Sequence, residues 1–255
     1  MTRARARFAL ARINKRASNP ARPNTLLPAG ALKSDVILCC GEDLDEFKGA
    51  VTSVIGRPKE VHRYRCYAFM ETRRISFIWT GIGSGCIEPL LCEIHSEPRL
   101  QRIILVGTAG SVSARAKLGV ATPIREARVA CAGISPKKQS SLPNWPLAKQ
   151  TPTQTIVSTD YYYGFTLKKT DPAPKLWAAD TRLSKSVGAA LRRADLVDME
   201  TGQFYHLCSV LRPNLKFLAI KGAANPLTDF SQQTFHSESV LHDAIRQAKA
   251  LLGSD

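Results

Sequence analysis

Short apolar runs alternate with amphipathic segments along most of the chain. Asp35–Cys40 (DVILCC) and Arg102–Val106 (RIILV) are apolar after their first residue, which predicts strands buried on both faces. Leu44, Phe47 and Val51 recur at helical spacing and predict a helix over 42–55. Further strands are predicted over 61–70, 74–79, 154–158 and 215–220, and a strand pair is predicted over 119–132. Further helices are predicted from residue 86 to about residue 95, over 198–211 and over 240–252.

This alternation of strands and helices predicts an α/β fold, a sheet with helices on both faces. In such sheets a ligand binds beyond the carboxyl ends of the strands. Small or polar clusters follow the apolar runs at these positions: Gly41, Thr80–Gly85, Gly107–Gly110 and Asn225. The chemistry of the protein is therefore expected in these four places.

The basic charge is concentrated near the N-terminus. The formal net charge is +15, and residues 1–34 hold eight of the 36 basic residues and no acidic one. We expect residues 1–33 to be a disordered basic leader, in a cytoplasmic protein. An organelle transit peptide is the alternative, because the leader is rich in Arg, whereas it lacks the apolar segment of a secretory signal. A nucleic-acid partner is not indicated, since basic residues are not interleaved with aromatic ones on a folded face.

Composition excludes further classes of protein. The longest uncharged stretch, Ile75–Ile87, is too short to span a bilayer, so no membrane association is expected. The seven cysteines form no CxxC pair and the five histidines are scattered, so neither a disulfide framework nor a zinc site is predicted. We expect buried thiols in a reducing compartment and no metal or organic cofactor.

The glycine-rich segment TGIGSG at 80–85 does not have the G-x-G-x-x-G spacing of a dinucleotide fingerprint. It is typical of a loop between a strand and a helix, whose backbone N–H groups approach an anion or a hydroxylated ligand. A plain tight turn is the alternative interpretation.

The order of five motifs resembles the nucleoside phosphorylase and nucleosidase superfamily. The motifs are Gly41 followed by Glu46, TGIGSG at 80–85, VGTAGSV at 106–112, VDMETGQFYHLC at 197–208 and AIKGAANPLTD at 219–229. The resemblance covers about residues 34–253 and implies a single catalytic domain over 34–255 with a mixed central β-sheet. It also implies a homo-oligomer and a small-molecule partner, expected to be a purine nucleoside, whose N-glycosidic bond is cleaved.

The resemblance assigns the sugar and the base to particular side chains. Glu200 accepts hydrogen bonds from the ribose hydroxyls, and its charge favours the oxocarbenium character that develops as the bond breaks. Met199 packs against the sugar, and Tyr162 stacks on the base. Alternatively, Glu200 belongs to a solvated helix start, and Tyr162 is a core aromatic, with Tyr161 and Tyr163 competing for the stacking role.

The acidic segment after Gly41 bears on the choice between water and phosphate. The resemblance implies that Glu46 is the general base that activates water, although an exposed helix residue is equally compatible. Phosphorylases of the family place an arginine where this chain has Leu105, and an acidic loop repels phosphate. The sequence therefore favours hydrolysis. A phosphorylase, with phosphate held by Gly41, Thr80, Gly81 and Thr108, is the alternative.

Asn225 departs from the Asp that the hydrolases of this family carry. An amide can bond a base edge but cannot act as a general acid, so Asp229 is the other candidate for this role. Gly83, Ala109 and Gly110 complete the expected substrate contacts. Because of Asn225, a nucleoside-binding protein without catalytic activity remains a further alternative.

Overall fold

The computed structural model describes residues 22–130, 140–160, 188–226 and 233–253. The strands are β1 (Asp35–Cys40), β2 (Lys59–Tyr64), β3 (Tyr67–Glu71), β4 (Ile75–Thr80), β5 (Arg102–Ser111), β6 (Ala121–Val129), β7 (Ser140–Ser141), β8 (Gln154–Ser158), β9 (Leu196–Asp198) and β10 (Lys216–Pro226). The helices are α1 (Leu44–Val54), α2 (Ser84–Ile94), α3 (Thr201–Leu211) and α4 (Gln233–Leu252).

The ten strands in the described residues belong to one mixed sheet, in the order β10-β6-β8-β9-β5-β1-β4-β3-β2, with β7 on β6. A further pairing of β10 with β5 closes part of the sheet into a ring. The strands β4, β1, β5 and β10 run parallel to one another, so their carboxyl ends lie along one edge. The expected α/β domain with a mixed sheet is confirmed.

The helices cover both faces of the sheet. On one face α1 and α4 pack on side chains such as Ile37, Ile104 and Leu218. On the other face α2 and α3 pack on the alternate side chains of the same strands, such as Leu38 and Ile103. Beneath the helices, β1, β5 and β10 therefore carry apolar side chains at consecutive positions rather than at every second one.

Strands β5 and β10 are longer than their apolar runs predict. They continue through Gly107–Ser111 and Lys221–Pro226 because these segments pair with each other. The predicted strand 61–70 is instead a hairpin, β2–β3, that turns at Arg65 with a left-handed φ of 51°. The predicted strand pair over 119–132 is the single strand β6 within the described residues.

The segment 22–32 corrects the expected boundary of the leader. Leu27 and Leu32 are buried in the core beside α2. Arg22 forms a buried ion pair with Glu97, and both carboxylate oxygens of Glu93 accept hydrogen bonds from residues 24 and 25. The sequence predicts them as part of the leader because residues 1–34 together hold eight basic residues and no acidic one. Their apolar contacts with α2 are non-local. No described helix is long and apolar enough to cross a membrane.

Candidate active site

The end of β9, which runs antiparallel to β5, lies beside the loop that follows the carboxyl end of β4, and this brings two of the predicted motifs together. β9 ends at Asp198, and the chain turns through Met199 and Glu200 into α3. Glu200 is only 4% exposed, and its Oε1 accepts a hydrogen bond of 2.9 Å from the Gly83 N–H. Gly83 has φ +89° and precedes α2, and a Cβ there would lie 3.9 Å from Met199 Cε. The glycine loop and the Asp-Met-Glu segment therefore form one site.

Lys221, in the middle of β10, is the cation of this site. It is completely buried, and its Nζ lies 3.3 Å from Asp198 Oδ2 and 3.6 Å from Glu200 Oε2. Nζ also lies 3.5 Å from the Thr108 carbonyl oxygen. An ammonium group is stable in such a place only when carboxylates compensate it, as they do here.

Burial and charge perturb the ionisation of both Glu200 and Lys221. Burial is the main reason why the pKa of Glu200 is raised to about 7, and the ammonium of Lys221 acts in the opposite direction. Burial alone would lower the pKa of Lys221, but Asp198, Glu200 and Glu42 outweigh it and hold that pKa well above its usual value. Groups with shifted pKa values in one place are typical of a functional site.

Asp198 is part of the framework that holds Glu200. It accepts hydrogen bonds from the hydroxyls of Ser158 and Thr201 and from the Thr201 N–H. The Ser158 hydroxyl in turn accepts from the Gly202 N–H at 2.7 Å. Asp198 and Glu200 are both buried. The interpretation of Glu200 as part of a solvated helix start is therefore wrong.

Glu42 provides the third carboxylate of the site. Its Oε1 accepts a hydrogen bond from the Thr108 N–H, and its carbonyl oxygen accepts one of 2.7 Å from Trp79 Nε1. A Cβ on Gly107, which has φ +151°, would lie 2.9 Å from Glu42 Oε1 and 3.1 Å from Lys221 Nζ. Glycine at 107 therefore leaves the space into which both charged groups reach.

Glu46 does not join this cluster. Asp43 is the N-cap of α1 and accepts hydrogen bonds from the backbone N–H groups of residues 45 and 46, so Glu46 lies in the first helical turn. The buried face of α1 carries Leu44 and Phe47, and Glu46 is exposed beside it. Partial burial is the main cause that raises the pKa of Glu46, and the nearby carboxylates of Asp43, Glu42 and Glu238 raise it further. The spacing from Gly41 pointed to Glu46, but Glu42 is the carboxylate at the strand ends.

The other predicted contact residues lie around the same strand ends. Thr80 is buried at the end of β4, and its carbonyl oxygen accepts from the Gly41 N–H at 3.0 Å. The Gly81 carbonyl oxygen accepts from the Cys40 thiol at 2.9 Å. Asp160, which follows the Ser-Thr pair that precedes the tyrosines, accepts from the Ser84 hydroxyl at 2.6 Å. This contact fixes the start of α2.

Asn225 lies at the end of β10 opposite Gly110 of β5. It is buried, and its Nδ2 donates to the Pro226 carbonyl oxygen at 2.8 Å. Gly110 also pairs with Val197 of β9, so its position is inside the sheet. Ala109 is buried next to it. Tyr162, with its neighbours Tyr161 and Tyr163, and Asp229 lie outside the described residues.

Sequence reasoning missed Lys221 and the position of Glu42 at the strand ends. Lys221 had a signal, because a lone lysine in an apolar strand (LAIKGAA) must find carboxylates in the core. Glu42 is one of four acids after Gly41, and nothing in the sequence distinguishes it from the others. Within the part of the chain that the structure describes, no group of three or more His, Cys, Asp and Glu residues is arranged to hold a metal ion.

Comparisons with known proteins agree with this geometry at the level of fold. No family model matches the chain, and no curated protein matches it. Solved structures do match over most of its length.

Three of these solved structures are a nucleosidase, a nucleoside phosphorylase and a futalosine hydrolase. An MTA/SAH nucleosidase from Colwellia psychrerythraea, in complex with adenine, is 15% identical with a TM-score of 0.64, covering 87% of this chain and 96% of that one. A purine nucleoside phosphorylase from Toxoplasma gondii, in complex with immucillin-H, is 17% identical with a TM-score of 0.65, covering 92% and 97%. A futalosine hydrolase from Helicobacter pylori is 12% identical with a TM-score of 0.59, covering 87% and 99%. The chain therefore has the fold shared by nucleosidases and nucleoside phosphorylases, as the order of its motifs predicts.

Proposed function

We propose that the protein cleaves the N-glycosidic bond of a nucleoside, with water as the acceptor. The observation that carries the proposal is the position of Glu200. Its carboxylate is buried at the strand ends, held by the Gly83 N–H and balanced by Lys221. A buried carboxylate with fixed partners is suited to accept hydrogen bonds from sugar hydroxyls, because water does not compete for it.

The chemistry follows from the charge of Glu200. Breaking the bond between C1′ and the base nitrogen builds positive charge on the sugar, and an ionised carboxylate nearby stabilises it. Water then supplies a hydroxyl group to C1′, the departing base takes up a proton, and the proton left by water balances the one that the base takes up. In this proposal Met199 contacts the sugar and Tyr162 stacks on the base.

The position of Glu42 supports water rather than phosphate as the acceptor. Its carboxylate faces the same strand ends as Glu200 and is anchored on the Thr108 N–H. We therefore assign to Glu42 the role of the carboxylate that orients water, in place of Glu46. A second negative charge brought to the same N–H group would be repelled.

A second candidate function is nucleoside binding without turnover, and Asn225 favours it. Its amide is buried and bonded to the neighbouring carbonyl group, and it has no proton to give to the base. In the hydrolytic proposal the proton comes from Asp229 or from solvent.

A panel of purine and pyrimidine nucleosides, incubated with and without inorganic phosphate, tests the proposal. Release of free base without phosphate, lost in Glu200→Gln, is the expected result. Release only when phosphate is present would instead make the protein a phosphorylase. Calorimetric binding of a nucleoside without any base release would favour the second candidate. We predict that the protein forms a homo-oligomer and that it is located in the cytoplasm.

A further inference from the structure

We propose that the Glu42 carboxylate is a built-in anion, which fills an oxyanion site formed by the Thr108 N–H and the Lys221 ammonium and thereby keeps inorganic phosphate out. In its consequence for the reaction, this inference rests on the proposed function. The anion binding itself depends only on the positions of Glu42, Thr108 and Lys221.

The sheet topology creates the donor of this site. β1 pairs with β5 only as far as Val106, and β9 pairs with β5 only from Gly110. Between these two residues one edge of β5 has no neighbouring strand, and the Thr108 N–H lies in this gap. A backbone N–H inside a protein needs an acceptor, and the acceptor here is the side chain of Glu42.

Lys221 makes the gap attractive to an anion. It extends from β10, opposite Gly107 in the register, and its Nζ reaches the space over Gly107. Glu42 Oε1 reaches the same space from the other side. The carboxylate held by the Thr108 N–H and the buried Lys221 ammonium therefore lie on either side of the same space over Gly107, and Glu42 contributes to the negative charge that raises the pKa of Lys221. A directed N–H group and a nearby buried cation are the elements with which proteins bind carboxylates and phosphates.

Glu42 is held in the gap by its own backbone. Gly41 has φ +80°, a conformation that favours glycine, and its N–H is bonded to the Thr80 carbonyl oxygen. The Glu42 carbonyl oxygen is bonded to Trp79 Nε1. These contacts fix the backbone of the turn after β1 to the end of β4, while the Glu42 side chain reaches the Thr108 N–H of β5. Phosphate would have to displace a carboxylate that the fold itself puts in place.

The test measures binding of inorganic phosphate by calorimetry in the wild-type protein, in Glu42→Ala and in Glu46→Ala. Glu46→Ala is the matched control, because it removes the same charge from an exposed position four residues away. We expect Glu42→Ala to bind phosphate at least about tenfold more tightly than the other two proteins. Equal affinity in all three, or an equal gain in Glu46→Ala, would overturn the proposal.

A second variant covers the case in which Glu42→Ala does not fold. Glu42→Gln keeps an oxygen that can accept from the Thr108 N–H but has no charge, and we expect a smaller gain in phosphate affinity. An affinity equal to that of the wild type would refute the proposal.

Turnover separates this inference from the proposed function. If the wild-type protein needs phosphate to release base, the inference fails although N-glycosidic cleavage stands. If it releases no base at all, the proposed function fails, and the phosphate titration alone decides the inference.

Discussion

Replacing Lys221 by methionine should destabilise the protein, and more so at high pH than at low pH. Methionine retains the apolar stem of the side chain and removes its charge. Asp198 and Glu200, which lie 3.3 and 3.6 Å from Nζ, then lose their buried counter-charge. Removing one partner of a buried ion pair typically costs about 3–5 kcal/mol, and we expect a loss of this size at about pH 8.

The pH dependence comes from Glu200. Its pKa in the folded protein is about 7, above its usual 4.5, so the folded state binds more protons than the unfolded state between these values. The free energy of unfolding therefore falls as pH rises through this window. In the wild type the Lys221 ammonium lowers the pKa of Glu200. In Lys221→Met the pKa of Glu200 is therefore higher, and the free energy of unfolding continues to fall above pH 7. The loss of stability caused by Lys221→Met is therefore about 1.4 kcal/mol larger at about pH 8 than at about pH 5.5.

Urea denaturation of the wild type, Lys221→Met and the double variant Lys221→Met/Glu200→Gln at these two pH values measures the effect. The double variant should lose the pH-dependent part, because glutamine cannot ionise. Lys216→Met, at an exposed position of the same strand, is the control and should change stability by less than about 0.5 kcal/mol. A loss in Lys221→Met that is the same at both pH values would refute the reasoning about Glu200, and a loss below about 1 kcal/mol would refute the buried ion pair.

Four further predictions concern the site and its support. Glu200→Gln should lower kcat/KM for base release at least about 10²-fold, and unchanged turnover would remove Glu200 from the site. In the wild type kcat/KM should rise as Glu200 ionises near its pKa of about 7, whereas a flat pH–rate profile would show that its charge is not used. Leu27→Ala should cost about 2–5 kcal/mol in urea denaturation, against almost nothing for Leu142→Ala at a position 64% exposed, if segment 22–32 belongs to the core. Tyr205→Phe should cost about 1–3 kcal/mol, because its buried hydroxyl accepts from the Ala219 N–H at 3.0 Å, and full stability would mean that this N–H finds another acceptor.

The local pattern of the chain was sufficient to predict β1, α1 and the apolar part of β5. Asp35–Cys40 has the bounds that its apolar run predicts, and Leu44 and Phe47 lie on the buried face of α1 as their spacing requires. These features are determined by residues close in sequence, since strand and helix periodicity is a local property. The order of the glycine and acidic motifs was likewise sufficient to indicate the fold and the strand ends at which Glu200 lies.

Which acid lies at the candidate site was decided only by the tertiary structure. Glu42 and Glu46 are equivalent in composition, but one precedes the N-cap Asp43 and reaches Thr108, while the other lies beyond it on an exposed side of α1. The gap in β5 that Glu42 fills exists because two other strands stop short of it, and Lys221 meets its carboxylates through the register of β10 on β5. Partners of this kind come from distant parts of the chain. Their choice depends on strand order and register, and neither can be read from the hydrophobic pattern of any single segment.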